Sequence, residues 1–462
     1  MSDAPHPAPF IAELRAALPG LRVLTEPNDT EAYRFDETEY LHPGRPIGVA
    51  FPESTNDVAT IVRLAAARGV PVVPRGAGTG LSGGATAVDG ALTIVLTRMD
   101  RILEIDRRNL LAVVQPGVIN ADLGNAAAAE GLFYAPDPAS YETCSIGGNL
   151  AENSGGLRCL KYGVTRDAVL GLEVVLADGS VIRTGGRTIK DVAGYDLTHL
   201  FVGSEGTLGI ITEAILRLRP APPPKLTLLA FFPTVHAAGE AVAGITAAGL
   251  VPVTLELMDR FTIRAVDAAL RVGLPEDAGA MLMIESDAGG DAAADELDRA
   301  EAACRAAGAT EVVRAADPTE ADWLREARRK AHWSLEQAGV ARMDDVGVPR
   351  DRVPDLLDAI ERISLDAGLP VGVFGHAGDG NLHPTFVVDR EDPTAEGRIN
   401  AARARIYEAA LSLGGTITGE HGTGVAKRGF LEAQVGPDAV RVMRALKAAL
   451  DPQGILNPGK VL

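Results

Sequence analysis

The chain has 462 residues, 46% hydrophobic and 23% charged, a composition that suits a globular protein large enough for two or three domains. Its 62 acidic against 44 basic residues give a net charge of −18, which argues against nucleic acid or an anionic membrane surface as a partner. No apolar run approaches the roughly eighteen residues that span a bilayer, and three cysteines without C-x-x-C spacing, Cys144, Cys159 and Cys304, point to a reducing cytoplasm instead of a disulfide framework.

The first ten residues have neither the basic nor the apolar region of a secretory signal, so membrane association would have to come through a partner. Residues 10–18 pattern as a short amphipathic helix, followed by irregular chain to residue 46. A β-α-β opening comes next: a strand at 49–52, a helix at 54–68 announced by Ser54 and Asp57, and a strand at 70–73. The run RGAGTGLSGG at 75–84 follows at once. Its glycines allow positive φ and let successive N–H groups line one concavity, a geometry that holds phosphate oxygens; the plainer alternative is a floppy surface loop. Gly78, Gly80 and Gly83 satisfy G-x-G-x-x-G, yet residues 85–90 leave no room for a crossover helix before the strand at 91–97. A nicotinamide Rossmann unit is therefore rejected.

Short apolar runs at 92–96, 102–105 and 111–115 read as strands and 120–131 as a helix closed by glycine. Residues 136–156 lack periodicity, which inside a compact domain marks a functional segment. A hairpin is expected at 169–177 and 181–184 around Asp178-Gly179, a helix at 188–200 and a strand at 210–218. Four prolines within residues 220–224 make a stiff connector and place a domain boundary there. Beyond it strands at 226–232, 253–258, 280–285 and 311–314 alternate with helices at 235–248, 261–272, 292–307 and 320–337, the pattern of an antiparallel sheet with helices on one face. Residues 450–460 are expected to return to the first domain. The alanine-rich helices, such as 292–307, are given no chemistry.

Two of the eight histidines lie in VGVFGHAGDGNLHP (371–384), a hairpin with His376 and His383 at its mouth, where both can face one side. GEHGTG (419–424) adds Glu420 and His421. Two imidazoles and a carboxylate suit Zn²⁺, Mn²⁺ or Fe²⁺ with positions left for a substrate, although a lone core histidine is more often simply buried. A basic helix face at 323–330 offers Arg325 with Arg328 or Arg329 to a carboxylate, or to solvent alone.

RGAGTGLSGG (75–84), PDPAS (136–140), CSIGGNLAENSGG (144–156) and FVGSEGTLGIITE (201–213) resemble, in order, the FAD-binding domain of the vanillyl-alcohol oxidase superfamily. From about residue 36 onward the chain is similar to FAD-linked 2-hydroxy-acid dehydrogenases: the FAD subunit of bacterial glycolate oxidase and the D-lactate and D-2-hydroxyglutarate dehydrogenases. The resemblance implies an α+β fold: a two-part FAD-binding domain over 1–220, a proline-rich linker at 221–225, a ferredoxin-like α/β cap with an antiparallel sheet and the metal site over 226–420, and a segment, 421–462, returning to the FAD domain. It implies FAD held by Arg75, Gly76, Ala77, Gly78, Thr79, Gly80, Ser82, Pro136, Asp137, Ser145, Gly147, Gly148, Asn149, Asn153, Gly155, Glu205, Gly206, Ile210 and Asn457. The FAD is non-covalent, since Thr79 stands where covalent members carry histidine. Cys144 then fills space beside the flavin and is no nucleophile.

By the same resemblance His376, His383 and Glu420 bind a divalent metal, zinc first and Mn or Fe next, His421 is the base, and Arg325, then Arg329, meets the substrate carboxylate. The implied reaction is oxidation of a small D-2-hydroxy acid, D-lactate or glycolate. The metal polarises the hydroxyl, His421 takes its proton, and hydride passes to flavin N5. Electrons leave for an external acceptor: a quinone, an iron–sulfur subunit, a cytochrome or an electron-transfer flavoprotein. Met343 aligns loosely with a lysine of the hydroxyglutarate enzyme, which favours the small substrates over D-2-hydroxyglutarate or a bulkier acid. A metal-dependent hydrolase or lyase with structural FAD is the alternative from another class; retention of the metal residues and His421 argues against a companion subunit that only binds FAD. The expected location is cytoplasmic, peripheral to the membrane through a partner, and a homodimer is a compatible assembly.

Overall fold

The structure is a computed structural model that describes residues 7–38 and 40–462; the first six residues of the N-terminal stretch lie outside it. The chain divides into two compact units, one of residues 1–155, 163–221 and 420–462, the other of 156–162 and 222–419. The second division falls between Gly419 and Glu420, so Glu420, placed above at the end of the cap, belongs with the first unit. No linker composition marks 156–162 in the sequence. It is tied to its unit by Asp287, which accepts from Tyr162 Oη at 2.6 Å and pairs with Lys161, and by Leu157 in the apolar core.

The first unit opens with a four-stranded sheet in the order Arg22–Leu24, Gly48–Phe51, Leu92–Val95, Val72–Arg75, whose last three strands are parallel. The helix Thr55–Arg68 forms because Ser54 and Asp57 complete a capping box and Gly69 closes it at φ +63°. Its Val58, Ile61, Val62 and Ala65 pack with Phe10, Leu14, Ile94 and Leu456. No helix separates Val72–Arg75 from Leu92–Val95; residues 76–91 are turns and loop. A second sheet, Ile102–Asp106, Leu111–Val114, Ile210–Arg217, Val169–Val175, Val181–Gly185, is antiparallel throughout.

Two expectations fail in this unit. Residues 188–200 are not a helix: only Thr198–Phe201 is helical, because Ile189, Val192 and Tyr195 stay 80–96% exposed and give an apolar stripe nothing to pack on. Conversely, the featureless stretch 136–156 contains the helix Ile146–Glu152, started by the Ser145 side chain on Gly148 N–H and ended by Asn153 at φ +55°.

The second unit is built on one sheet in the order Glu311–Arg314, Leu226–Phe232, Ala280–Ser286, Thr254–Asp259, Val371–His376, Asn381–Val388, Val340–Met343, antiparallel at every described pairing. Helices cover both faces, not one. Leu229 and Phe231 join Ile263, Val266 and Leu335, whereas Leu228, Ala230 and Phe232 point to the opposite side and are equally buried; Arg260–Leu270 and Val235–Ala247 both pack on this sheet. The helix expected at 320–337 is two, Pro318–Arg329 and Ala331–Ala338, broken at Lys330 where ψ opens to 7°. Among the described residues no helix is long and apolar enough to cross a membrane.

Phe232 is fully buried in this sheet. Phe232→Ala is expected to destabilise the protein by about 3–5 kcal/mol, measured as a lowered urea midpoint.

Candidate functional site

In the first unit the strand Val72–Arg75 delivers the chain into the glycine loop. Gly78 takes φ +85°, and a Cβ there would overlap the Arg75 guanidinium; one at Gly76 would overlap Ser145 Oγ. Arg75 is fixed by Phe35 O at 2.6 Å, and burial pulls its pKa down while Asp36 pulls it back up. Gly206 packs its backbone on Pro74 at φ +67°. Asn457 donates through Nδ2 to Gly84 O and Glu205 O at 2.9 and 2.7 Å. The loop, Ser145 and the 203–206 turn thus meet at one end of the first sheet, and Ser82 Oγ and Asn457 Oδ1 are buried there without a hydrogen bond from the protein. A backbone N–H cradle with a Ser82 hydroxyl free to donate suits phosphate, and the Asn457 Oδ1, an acceptor, suits a hydroxyl or N–H of the same polar cofactor.

The remaining cofactor candidates frame this region. Asn149 bonds Asn120 and Cys144, and Pro136 O accepts from Asn120; Gly147 is pressed on Pro116, and Asn153 Oδ1 accepts from Arg166 N–H at 2.9 Å. Asp137 is buried, and Gly148, Gly155 and Ile210 belong to the same unit, as do Ala77, Thr79 and Gly80 within the loop. Burial pushes the Cys144 thiol pKa up, so it stays protonated.

Glu205, at φ +51°, anchors the turn that follows His421: its carboxylate accepts Thr423 N–H at 2.7 Å and Gly424 N–H at 2.8 Å, while Ser82 O accepts from Val425 and Ala426 N–H. The loop carrying His421 is therefore fastened to the glycine loop inside one unit. A side chain at Gly422 would run into both Glu152 and Glu205, so these two carboxyls lie side by side. Burial raises the Glu205 pKa to about 7, although Thr423 and Gly424 N–H and Lys460 oppose the rise. Glu152, whose Oε2 is closed off from solvent, is raised well above the ordinary value by burial and then by Glu205 and Asp36. Sequence reasoning missed Glu152, although it stands inside the 144–156 motif.

In the second unit His376 ends one strand and His383 lies in the next. The register sets Phe374 opposite His383 and His376 opposite Asn381, so the histidines are diagonal on one face and do not oppose each other directly; their rings are 5.2 Å apart at 85°. The turn at 377–380, with Gly380 at φ +83°, fixes that register. His376 Nδ1 is 2.7 Å from Glu256 Oε1, and Glu256 Oε2 is 2.5 Å from Arg328 Nη2. Asp345 accepts Asn381 Nδ2 at 2.5 Å, Thr418 Oγ1 at 2.7 Å and Gly419 N–H at 2.8 Å, and stands 3.8 Å from His383 Nδ1. Gly419 precedes Glu420 and His421 in the chain. Neither Glu256 nor Asp345 was found from sequence; the signal for Glu256 was a charged residue in the apolar strand Thr254–Asp259, while Asp345 sits between two short strands.

Arg325 is partly buried, its Nε and Nη2 on Glu285 at 2.5–3.2 Å and its Nη1 on the exposed Asp322 at 2.5 Å. Burial opposes ionisation of Glu285, but Lys225, Arg325 and Thr254 outweigh it and bring its pKa to about 2. Arg329 lies half-buried on the same helix, and Met343 packs against the apolar cluster of Phe374.

Residues 46–185 match the family model described as "FAD binding domain", and residues 221–461 match "FAD linked oxidases, C-terminal domain". The chain is 47% identical to the glycolate oxidase subunit GlcD of Bacillus subtilis (strain 168), over 93% of this chain and 91% of that protein. It is 36% identical to a D-lactate dehydrogenase of Archaeoglobus fulgidus, over 94% and 96%. Among solved structures, p-cresol methylhydroxylase with substrate bound superposes at TM-score 0.82 with 17% identity, covering 98% of this chain and 96% of the other, a likeness of fold.

Gly78→Ala, strained in φ and crowded by Arg75, is expected to lose most of its bound flavin on dialysis, measured by absorbance. A carboxyl with a raised folded pKa binds its proton in the fold while the unfolded chain has released it, so stability falls as pH rises from 4.5 towards about 7. The Glu152 pKa is raised in the same sense by burial and by Glu205, so Glu152→Gln is expected to stabilise the flavin-free protein increasingly as pH rises above the ordinary carboxylate range, read from thermal unfolding.

Proposed function

The chain belongs to the family of FAD-linked oxidases, and from that premise we propose that this FAD-dependent oxidoreductase oxidises a small D-2-hydroxy acid, D-lactate or glycolate, to the 2-oxo acid. The observation that carries the proposal is the fastening of the His421 loop to the glycine loop by Glu205 and Ser82, which gives a proton acceptor a fixed place on the flavin-binding unit. The names of the relatives at 36% and 47% identity support the substrate class.

When bound, FAD supplies the two-electron acceptor and a divalent metal, zinc with Mn or Fe as alternatives, supplies Lewis acidity. In this reading His376, His383 and Glu420 hold the metal. The diagonal histidine pair and the Asp345 bond to Gly419 N–H, one residue before Glu420, support that donor set. His421 takes the proton of the substrate hydroxyl. Arg325 meets the carboxylate: Glu285 holds its Nε and Nη2, while its Nη1 rests on an exposed i,i+3 partner, a weak pair that an incoming carboxylate displaces. Arg329 is the second cation. Met343, packed into the apolar core, offers nothing to a distal carboxylate, which favours the small acids over D-2-hydroxyglutarate. FAD is non-covalent with Thr79 in the loop, and an external acceptor reoxidises it.

Anaerobic titration with D-lactate, L-lactate, glycolate and D-2-hydroxyglutarate tests the proposal. D-lactate or glycolate is expected to bleach the flavin, with the response lost on chelation, and His421→Ala to retain FAD while kcat falls about 10²–10⁴-fold. A flavin left oxidised by all four acids in metal-loaded protein sinks the assignment.

A further inference from the structure

His376 is not simply a histidine at a hairpin end. Its Nδ1 lies 2.7 Å from Glu256 Oε1, Glu256 Oε2 lies 2.5 Å from Arg328 Nη2, and the Arg328 guanidinium stacks 4.9 Å from the centre of the Phe374 ring. The three polar residues are 6%, 1% and 3% exposed. Glu256 comes from the strand Thr254–Asp259, where it pairs with Met283 and is flanked by Leu255 and Leu257; Arg328 comes from Pro318–Arg329. Met258, Met283 and Phe374 belong to the apolar cluster at this place.

An ion pair in such surroundings loses much of its Coulombic gain to desolvation, and well-packed apolar side chains of similar volume would serve stability as well or better. What apolar side chains lack is a hydrogen-bond acceptor at Nδ1. A carboxylate there holds the tautomer with its proton on Nδ1, puts the ring's lone pair on Nε2 and fixes the ring plane.

We infer that Glu256, held in place by Arg328, is a positioning residue for His376: it presents Nε2 to a divalent metal and sets the affinity of the site without touching the metal. The inference rests on the metal reading above. Arg328, one of the cations that the sequence offered to the substrate, acts inside the protein as the anchor of Glu256.

The test uses full-length protein with FAD bound and metal removed, and reads Zn²⁺ and Mn²⁺ affinity by competition with a chromophoric chelator. Glu256→Asp keeps a charge for Arg328 but draws the carboxylate back from Nδ1, and is expected to weaken both metals about 10–100-fold. Glu256→Gln keeps an acceptor oxygen at Nδ1 and is expected to stay within a few-fold of wild type. Glu256→Gln removes the negative charge beside the buried Arg328, so circular dichroism and unchanged FAD content check that the variants fold. A folded Glu256→Asp protein with wild-type affinity for both ions overturns the positioning role while leaving the metal reading intact. A wild-type protein that binds neither ion more tightly than His376→Ala overturns both.

Discussion

One carboxylate holds the first unit's functional parts in register. Glu205 accepts the N–H groups of Thr423 and Gly424, takes Asn457 Nδ2 on its backbone oxygen and donates its own N–H to Ala151, so three stretches remote in sequence converge on one residue. Each of these groups is buried or nearly so, where an unmade hydrogen bond costs more than a made one contributes. The positive φ of Glu205 is a strain that the surrounding bonds over-determine. With Glu152 alongside and the Glu205 pKa raised to about 7, the clamp combines a hydrogen-bonded carboxylate with a neighbour driven towards its neutral form.

The second unit surrounds its buried acids with cations and neutral donors. Glu285 sits among Lys225, Arg325, Thr227 and Thr254, Glu256 between Arg328 and His376, and Asp345 among Asn381, Thr418 and Gly419. In all three cases a buried acid is surrounded by donors that hold its orientation. Preorganised charge of this kind exerts its effect without reorganising during a reaction.

Much of this was legible in the residues. Continuous apolar runs such as Leu226–Phe232 and Ala280–Ser286 announced strands, and the glycines of 75–84 announced a backbone approach that Gly76 and Gly78 duly make. Other features were hidden for physical reasons. Ile146–Glu152 is short and contains Gly147 and Gly148, so only its capping serine could betray it. Ile189 and Val192 carried helical spacing but have no surface to bury against, and spacing alone does not make a helix. Strands such as Leu226–Phe232 are apolar on both faces, and composition alone does not tell that helices cover both sides of the second sheet, so they were read as one layer. Glu256 and Asp345 were silent because a buried acid declares its role only through partners far away in the chain.

The chain leaves the first unit at Gly156, returns at Gly163, leaves again at Pro222 and comes back at Glu420. That itinerary has a consequence for synthesis, which runs from the N-terminus. The 222–419 segment and its sheet are complete on the ribosome before the first unit has received Leu456, which bridges Val72 on the edge strand of its sheet, or Asn457, which bonds Gly84. The cofactor-binding part of the molecule, begun first, is therefore finished last. Until the final stretch emerges, its apolar edge along Val72 stays open to other strands, and this is the stage at which a chaperone or the cofactor itself has most to protect.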